Sequence, residues 1–222
     1  MSPLPHSGLA VAVDVVALSL RPAGEGLEPV FLARRREREP FRGDWSLPGG
    51  ILREREDLEG AVRRALSNAM PLEHVRHLEQ LATFGEPDRD PRGRVLSVSH
   101  LALLPEPRAA ADGAAWLAVA DAPALAFDHA AILAAAIERL RGKLSYSNVA
   151  HGLLGEQFTL SELQAVYEGV LGRELDKRNF RKKVLSVGLV DEADGVRRGP
   201  HRPAQLYRFR HDRLVLLDDA IG

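Results

Sequence analysis

The stretch Trp45-Ser-Leu-Pro-Gly-Gly50 and the amphipathic segment after it decide how the first half of this chain folds. From Asp57, apolar residues recur at three- and four-residue spacing until Pro71, which predicts a helix with one apolar face. Upstream, the runs Val11 to Ser19 and Pro29 to Ala33 flank a glycine-containing turn and predict a β-hairpin. A sheet therefore precedes a helix, and two consecutive glycines lead from one to the other.

Composition limits the class of protein. The chain has 222 residues, 45% hydrophobic and 27% charged, which suffices for one substantial core or two modest ones. Because the formal net charge is −1, a nucleic-acid partner requires a local basic patch. The absence of cysteine excludes disulfides and thiolate sites. The apolar stretch Gly8 to Leu20 contains Asp14 and is too short to span a bilayer, so we expect a cytoplasmic protein with no membrane partner.

The middle of the chain predicts where one domain ends and the next begins. Ala130 to Leu140 is helical by period and composition, and Gly142 follows as a C-cap signal. We therefore predict one domain at 1–143, which ends in a linker or dimer helix at about 128–142, and a second domain at 144–222.

The C-terminal third has the pattern of a winged helix-turn-helix. Thr159 and Glu162 form a capping box that opens one short helix, and Asp176 is the N-cap of a second. Two short helices joined by a glycine-containing turn are typical of a helix-turn-helix. Leu189 to Asp191 and Gln205 to Phe209 predict two strands around a loop rich in glycine, proline and arginine, which is a wing.

The second of these helices is cationic along one face. It begins Lys177-Arg-Asn-Phe-Arg-Lys-Lys183, and at about 100° per residue its long cations lie away from its apolar stripe. A recognition helix needs such donors near its N-terminus to reach bases and phosphates in the major groove. The candidate DNA contacts are Thr159, Lys177, Arg178, Asn179, Arg181 and Lys182, with Arg198 and Arg202 in the wing beside Arg197 and His201. A solubilising face and a protein-interaction module are the alternatives.

The predicted helix after Gly50 resembles the Nudix box, G-x5-E-x7-R-E-U-x-E-E-x-G-U with U aliphatic. The positions that match in register are Gly50, Glu56, Arg64, Leu66 and Leu72. In Nudix hydrolases the glutamates of this helix bind divalent ions that bridge a pyrophosphate. Those positions here hold Ala65, Asn68 and Ala69, and Pro71 replaces the last glycine. Only Glu56 remains, so the resemblance implies a pocket that binds without catalytic residues or a metal; an ordinary amphipathic helix is the alternative.

Two further segments resemble strands of ADP-ribose pyrophosphatases: Thr83-Phe-Gly-Glu, and Asp88 to Arg94 with the predicted strand Val95 to Leu104. The resemblance implies ADP-ribose as effector and no cofactor. Arginines can donate paired hydrogen bonds to phosphates, and aromatic rings can contact a base. The candidate effector-binding residues are Arg34, Arg35, Phe41, Trp45, Gly49, Gly50, Glu56, Arg64, Arg92 and Arg94. We interpret Arg36 and Arg38 as part of a solvated loop, and a core position is the alternative for Trp45.

Nearly the whole chain resembles the NrtR family, Nudix-related transcriptional regulators of NAD metabolism. The C-terminal motifs that carry the resemblance are Phe158-Thr-Leu-x-Glu-Leu, Val166-Tyr-Glu, Leu171-Gly-Arg, Asn179-Phe-Arg-Lys and Pro203-Ala-x-Leu-Tyr-Arg-Phe. The family implies an α+β fold, with an N-terminal Nudix α/β/α sandwich and a C-terminal winged helix-turn-helix domain. It also implies a homodimer that binds a palindromic double-stranded DNA operator and represses genes of NAD biosynthesis or salvage until ADP-ribose releases it.

Two points about this resemblance remain expectations. We expect the segment His129 to Lys143 to couple ligand to DNA, with His129 at a helix start or an interface rather than on a metal. The alternative functions are an active Mg-dependent ADP-ribose pyrophosphatase, against which Ala65, Asn68 and Ala69 argue, and a regulator of the same architecture that senses a sugar.

Overall fold

The computed structural model describes residues 8–198, 203–217 and 221 and begins with a mixed sheet. The strands are β1 Ala10–Ala23, β2 Gly26–Arg35, β3 Trp45–Ser46, β4 Gly49–Ile51, β5 His77–Phe84, β6 Val95–Leu103, β7 Ala114–Ala118, β8 Val190–Arg197 and β9 Ala204–Phe209. The helices are α1 Leu58–Ser67, α2 His129–Tyr146, α3 Leu160–Leu171 and α4 Lys177–Ser186, with a 3-10 helix at Val149–Leu153. Within the described ranges, no helix combines the length and apolarity that a bilayer crossing requires.

The first seven strands form one sheet in the order β3-β2-β1-β6-β5, to which β4 adds at β1 and β7 at β2. β1 and β2 form the predicted hairpin, and β1 pairs parallel with β6. Alternate residues of β1 pack on opposite faces, Val13 and Val15 toward α1 and Val16 and Leu18 toward α2. Both faces are covered, which explains the unbroken apolar run in β1 and confirms the α/β/α sandwich.

Local signals position the start of α1 and the winged helix as predicted, whereas α1 ends at Ser67, before the expected stop at Pro71. The Asp57 carboxylate accepts a hydrogen bond from the Gly60 amide at the start of α1. Thr159 and Glu162 form the capping box of α3, and Asp176 caps α4 through the Asn179 amide. β8 and β9 pair antiparallel, which confirms the winged helix-turn-helix, while the wing tip at 199–202 lies outside the described residues.

The predicted end of α2 was wrong. The helix continues through Gly142 to Tyr146, because Leu140 and Leu144 on either side of the glycine are both buried in the core. Their burial exceeds the cost of about 1 kcal/mol for glycine inside a helix. The boundary expected at 143/144 therefore falls within a continuous helix.

One apolar core joins the sheet to the winged helix. The same cluster contains Phe31 and Leu101 from the sheet and Leu163 and Tyr167 from α3. α3 lies so close to β2 that a Cβ on Gly169 would come within 2.7 Å of the Leu27 carbonyl oxygen. The winged helix is therefore packed directly on the sheet and is not carried on a loose linker.

Candidate functional site

The Nudix-box residues Glu56 and Arg64 form a two-point ion pair at the start of α1. Arg64 Nε lies 2.6 Å from Glu56 Oε1, and Arg64 Nη2 lies 2.7 Å from Oε2. Arg64 also donates to the Ile51 carbonyl. Hydrogen bonding from Arg64 holds the pKa of Glu56 at about 2, well below its ordinary value. The pair fixes the segment between β4 and α1.

The Nudix family implies divalent cations at this box, but the residues present do not fit them. Ala65 and Ala69 are buried and offer only methyl groups, while Asn68 is an exposed C-cap residue. Both oxygens of Glu56 are engaged by Arg64. Divalent cations such as Mg²⁺ require several oxygen ligands held together. Across residues 8–198, 203–217 and 221, no three or more histidine and carboxylate side chains gather as a metal site.

The candidate arginines of β2 bond to the protein itself. Arg34 donates to the Asn68 carbonyl oxygen at 3.2 Å, which ties the strand to the end of α1. Arg35 donates to the Gly43 carbonyl oxygen at 2.6 Å, and its guanidinium lies 4.3 Å from the centre of the Trp45 ring. Trp45 is thus half-buried against the core, with a cation stacked on its outer face.

The loop before β6 positions the other two candidate arginines. Arg92 binds both oxygens of Asp90, at 2.9 and 2.6 Å, and Arg94 donates to the Gly85 carbonyl oxygen at 2.6 Å. These bonds shape the loop that leads into β6. The two arginines therefore give this loop a fixed geometry.

Phe41 and Phe127 form the wall of a surface depression of about 430 Å³. It is lined by Phe41, Glu86, Pro87, Asp88, Arg89, Pro91, Phe127 and Asp128. The two rings meet edge to face with centroids 4.9 Å apart. Among the described residues, these two are the only non-glycines with positive φ, at 65° and 58°. Such strained backbone is concentrated at functional sites, so this depression is the candidate ligand site.

Two cations flank Phe127. The guanidinium carbon of Arg36 lies 4.5 Å from the ring centre, and that of Arg92 lies 5.7 Å from it. The interpretation of Arg36 as a solvated loop residue was wrong, because its side chain is half-buried on this ring and donates to the Pro40 carbonyl oxygen. Arg38 is exposed, as expected. Phe41 was predicted as a ligand residue, whereas Phe127 was not, because it follows an apolar run and carries no local motif.

A buried ionic network lies behind the depression. Arg89 donates to both oxygens of Asp128, at 2.8 and 2.6 Å, and to Asp14 at 3.2 Å. Asp14 also accepts from Ser97, and its other oxygen lies 3.3 Å from Nε2 of His129. Burial raises the pKa of Asp14, but these partners outweigh it and hold the pKa at about 2. The one sequence signal for this network was the acidic residue inside the apolar run of β1.

Two further candidate residues adjoin this network. His129 is the first residue of α2, as predicted, and its Nδ1 accepts from the Leu47 amide at 2.9 Å. Gly49 pairs with Asp14 across β1 and β4, and a Cβ there would lie 2.3 Å from Asp14 Oδ1. Only glycine allows this approach. Gly50 follows, beside Arg64.

A larger groove lies elsewhere, between the β1–β2 hairpin and α3. Its volume is about 640 Å³, and none of the candidate ligand residues lines it. Its walls carry mixed charges, including the Arg108–Glu106 and Arg197–Glu162 pairs. Of the predicted ligand residues, only Phe41 lines the smaller depression. The strained aromatic pair, with Arg36 and Arg92 against Phe127, favours that depression as the ligand site.

The candidate DNA-binding face is on α4. Lys177, Arg178 and Lys182 are exposed and, in the part of the chain that the structure describes, bond to no other group. The opposite side of the helix buries Phe180 and Val184. The exposed Asn179 lies between these cations, and its backbone N–H donates the capping hydrogen bond to Asp176. One helix therefore presents a cationic face on a fixed apolar support.

The remaining DNA-contact candidates divide into three groups. Thr159 is buried and its hydroxyl accepts the capping bond from the Glu162 amide, while the half-buried Arg181 donates to Ser161 of α3. These two side chains hold the helix pair together. Arg198 is exposed at the end of β8, and Arg202, with His201, lies outside the described residues. Arg197 donates to the Gln157 carbonyl oxygen and so ties the wing to the start of α3.

Comparison with known proteins matches both parts of the chain. A family model for the NUDIX domain matches residues 9–140, and one for the NrtR DNA-binding winged helix domain matches residues 150–209. The ADPR responsive transcriptional repressor NtrR of Acinetobacter baylyi is 35% identical over 188 residues, which cover 81% of this chain and 75% of that protein.

Solved structures agree with this match. The crystal structure of Shewanella oneidensis NrtR complexed with a 27mer DNA is similar over 90% of this chain and 93% of that chain, with a TM-score of 0.79 and 34% identity. The NUDIX domain of the same Shewanella protein, solved with ADP ribose, covers 60% of this chain and 90% of that chain at a TM-score of 0.52 and 33% identity. This chain therefore belongs to the NrtR family, in which a Nudix domain is joined to a DNA-binding winged helix.

Proposed function

We propose that this chain is a transcriptional repressor of genes for NAD biosynthesis or salvage, and that ADP-ribose bound in its Nudix domain releases it from a palindromic operator. The observation that carries the proposal is the unbonded cationic face of α4, formed by Lys177, Arg178 and Lys182, on a chain that also holds a Nudix pocket. A protein that reads DNA with one part and binds a nucleotide with the other is suited to regulation by that nucleotide.

The DNA contacts follow from the exposed face of α4. Lys177 and Lys182 would neutralise phosphates, and Arg178 and Asn179 would reach base edges in the major groove. Arg198 and Arg202 of the wing would add phosphate contacts. We propose a homodimer, because two copies related by a two-fold axis present two recognition helices about one DNA turn, roughly 34 Å, apart. The DNA-binding unit would be 144–222 and the effector unit 1–143, with α2 shared between them.

The ligand contacts follow from the depression beside Phe41. Its aromatic wall suits a base, and Arg36 and Arg92, which lie against Phe127, supply cations for a pyrophosphate. The ADP ribose bound to the NUDIX domain of the Shewanella relative supports this choice of ligand. The full set of proposed effector-binding residues remains Arg34, Arg35, Phe41, Trp45, Gly49, Gly50, Glu56, Arg64, Arg92 and Arg94, to which we add Arg36 and Phe127.

We further propose that the pocket binds ADP-ribose without hydrolysing it. Hydrolysis in the Nudix family depends on carboxylates that bind metal, and this box offers Ala65, Asn68 and Ala69 at those positions. Glu56 is paired with Arg64. Release then requires that ADP-ribose bind the DNA-incompetent arrangement more tightly than the competent one. The regulatory character of the NtrR relative supports this assignment.

A gel-shift titration tests the function. The probes are DNA upstream of the gene for this protein and of neighbouring NAD genes, with and without ADP-ribose, and unrelated DNA of equal length is the control. We expect a shifted complex on an operator and its loss on addition of ADP-ribose. No shift on any probe would overturn the repressor proposal, and release by free sugars but not by ADP-ribose would identify a sugar sensor instead.

A further inference from the structure

The ligand depression and the start of α2 are parts of the same short segment. Phe127 forms a wall of the depression, Asp128 lines it, and His129 is the first residue of α2. A ligand seated in the depression contacts the first two side chains. Because the three residues are consecutive, any shift of Phe127 or Asp128 is passed to the first turn of the helix.

Asp128 is at the N-cap position of α2 but caps nothing. Its side chain makes no hydrogen bond to the first turn, where an N-cap aspartate would normally accept one. Both of its oxygens are instead bound by Arg89, in the paired geometry that gives arginine–carboxylate contacts their strength. The start of α2 is therefore held by an ion pair to the loop that lines the depression.

Arg89 is anchored from a second side. Its side chain is 3% exposed, and it also pairs with Asp14 in the core of the sheet. His129 reaches the same Asp14. One guanidinium thus joins three segments: strand β1, the loop before β6 and the start of α2.

The far end of α2 contacts the winged helix. At about 1.5 Å per residue its 18 residues span about 27 Å. Arg141 donates to the Val170 carbonyl oxygen at the end of α3, 2.9 Å away. The amides of Leu217 and Ile221 donate to carbonyl oxygens of Tyr146 and Ser145. A displacement at the start of this helix therefore moves groups that hold the DNA-reading part of the chain.

We infer that the Arg89–Asp128 ion pair is the clamp through which ligand occupancy of the depression reaches the winged helix. The strained backbone of Phe127, at φ 58°, is maintained while the clamp is closed. Ligand in the depression shifts Phe127 and opens the clamp, and α2 then takes an arrangement that binds DNA less well. Arg89 and Asp128 act as positioning residues. The inference rests on the proposed function and deepens it.

The test compares operator affinity with and without saturating ADP-ribose for Asp128→Asn and Arg89→Lys. Asp128→Asn removes the charge while keeping the side-chain size, and Lys cannot bind two carboxylates in a paired geometry. Asp121→Asn is the matched control, because Asp121 is an exposed carboxylate outside both the depression and the clamp. Calorimetry measures whether each variant still binds ADP-ribose.

We expect ADP-ribose to weaken operator binding of the unmodified protein by about tenfold or more. In both clamp variants we expect this ratio to approach one at ADP-ribose concentrations that calorimetry shows to saturate the variant, while operator DNA still binds in the absence of ADP-ribose. Asp121→Asn should keep the full ratio. A clamp variant with the unmodified ratio, or an equal loss in Asp121→Asn, would overturn the clamp. If the unmodified protein itself shows no response, the proposed function fails rather than the clamp.

Hydrogen exchange of the unmodified protein gives a second test that does not depend on how the variants fold. We expect ADP-ribose to change the exchange of the amides at 129–133, the first turn of α2. Protection of the depression loop at 86–94 with unchanged exchange at 129–133 would show that ligand binding does not affect the start of α2. The clamp would then be rejected.

Discussion

The two basic regions of this molecule differ in what their cations contact. In the Nudix part, Arg35, Arg89 and Arg92 are bonded to carbonyls or carboxylates of the protein. On α4, Lys177 and Arg178 reach solvent with no partner in the described part of the chain. Bonded arginines give a pocket its shape, and their loss weakens the fold. Unbonded cations contribute little to stability and remain available for phosphates.

The largest effect should follow from Arg89→Met, which breaks the buried group of bonded cations. Removing the guanidinium leaves Asp14 and Asp128 without their countercharge, and breaking such a buried pair costs about 3 to 5 kcal/mol. Urea unfolding measures the loss. Arg63→Met is the control, since its pair with Glu59 is exposed and should change the free energy of unfolding by less than about 1 kcal/mol. Equal losses of unfolding free energy in the two variants would show that the buried arginine contributes no more to stability than the exposed one.

The next effect concerns the unbonded group. The double variant Arg178→Ala and Lys182→Ala should lower operator affinity about a hundredfold, because both protomers lose a base contact and a phosphate contact. With about six phosphates contacted per dimer, the log–log salt dependence should have a slope of about −5, and it should become shallower in the variant. Fluorescence anisotropy measures both quantities.

The control for this variant removes the same charge from the Nudix part. Arg38→Ala with Arg55→Ala changes two exposed arginines far from α4 in sequence and should leave operator affinity unchanged. Both double variants should keep the unmodified melting temperature, since exposed substitutions change stability by about 0.5 kcal/mol or less. Unchanged operator affinity in the α4 variant would favour a protein-interaction module over DNA binding.

A smaller effect should follow from loss of the carboxylate of β5 that binds a lysine of α2. Glu79 of β5 binds His77 and Lys143; burial raises its pKa, but these partners lower it further, to about 2. The folded-state pKa lies below the ordinary 4.5, so this stabilisation is complete above pH 4.5 and is lost as the pH falls toward 2. Glu79→Gln should therefore cost about 2 kcal/mol at pH 7 and flatten the acid part of the stability curve. Glu138→Gln on the exposed side of α2 should do neither.

The sequence predicted the features that depend on neighbouring residues. The caps at Thr159 and Asp176 act within three positions, and the Nudix box has a fixed register, so each could be predicted from neighbouring residues. The end of α2 was misjudged at Gly142 because burial of Leu140 and Leu144 outweighs a local signal. Local signals such as helix caps predict the structure correctly where tertiary packing does not oppose them.

The buried network was not predictable in the same way. Arg89 is 75 residues from Asp14 and 39 from Asp128, and the parallel pairing of β1 with β6 helps to bring them together. No spacing rule connects such positions. Arg36 was misread for a related reason, since the ring that holds it, Phe127, comes from a distant loop. For the bonded cations, the residue types could be read from the chain, but their partners come together only in the folded structure.

The measurement that tests the proposed function most directly is an anisotropy titration of the operator complex with ADP-ribose, followed by chromatography of the recovered nucleotide. The proposed function predicts that operator affinity falls about tenfold or more and that the ADP-ribose is recovered intact. Unchanged affinity at saturating ADP-ribose, or metal-dependent release of AMP at ordinary enzymatic rates, would contradict it.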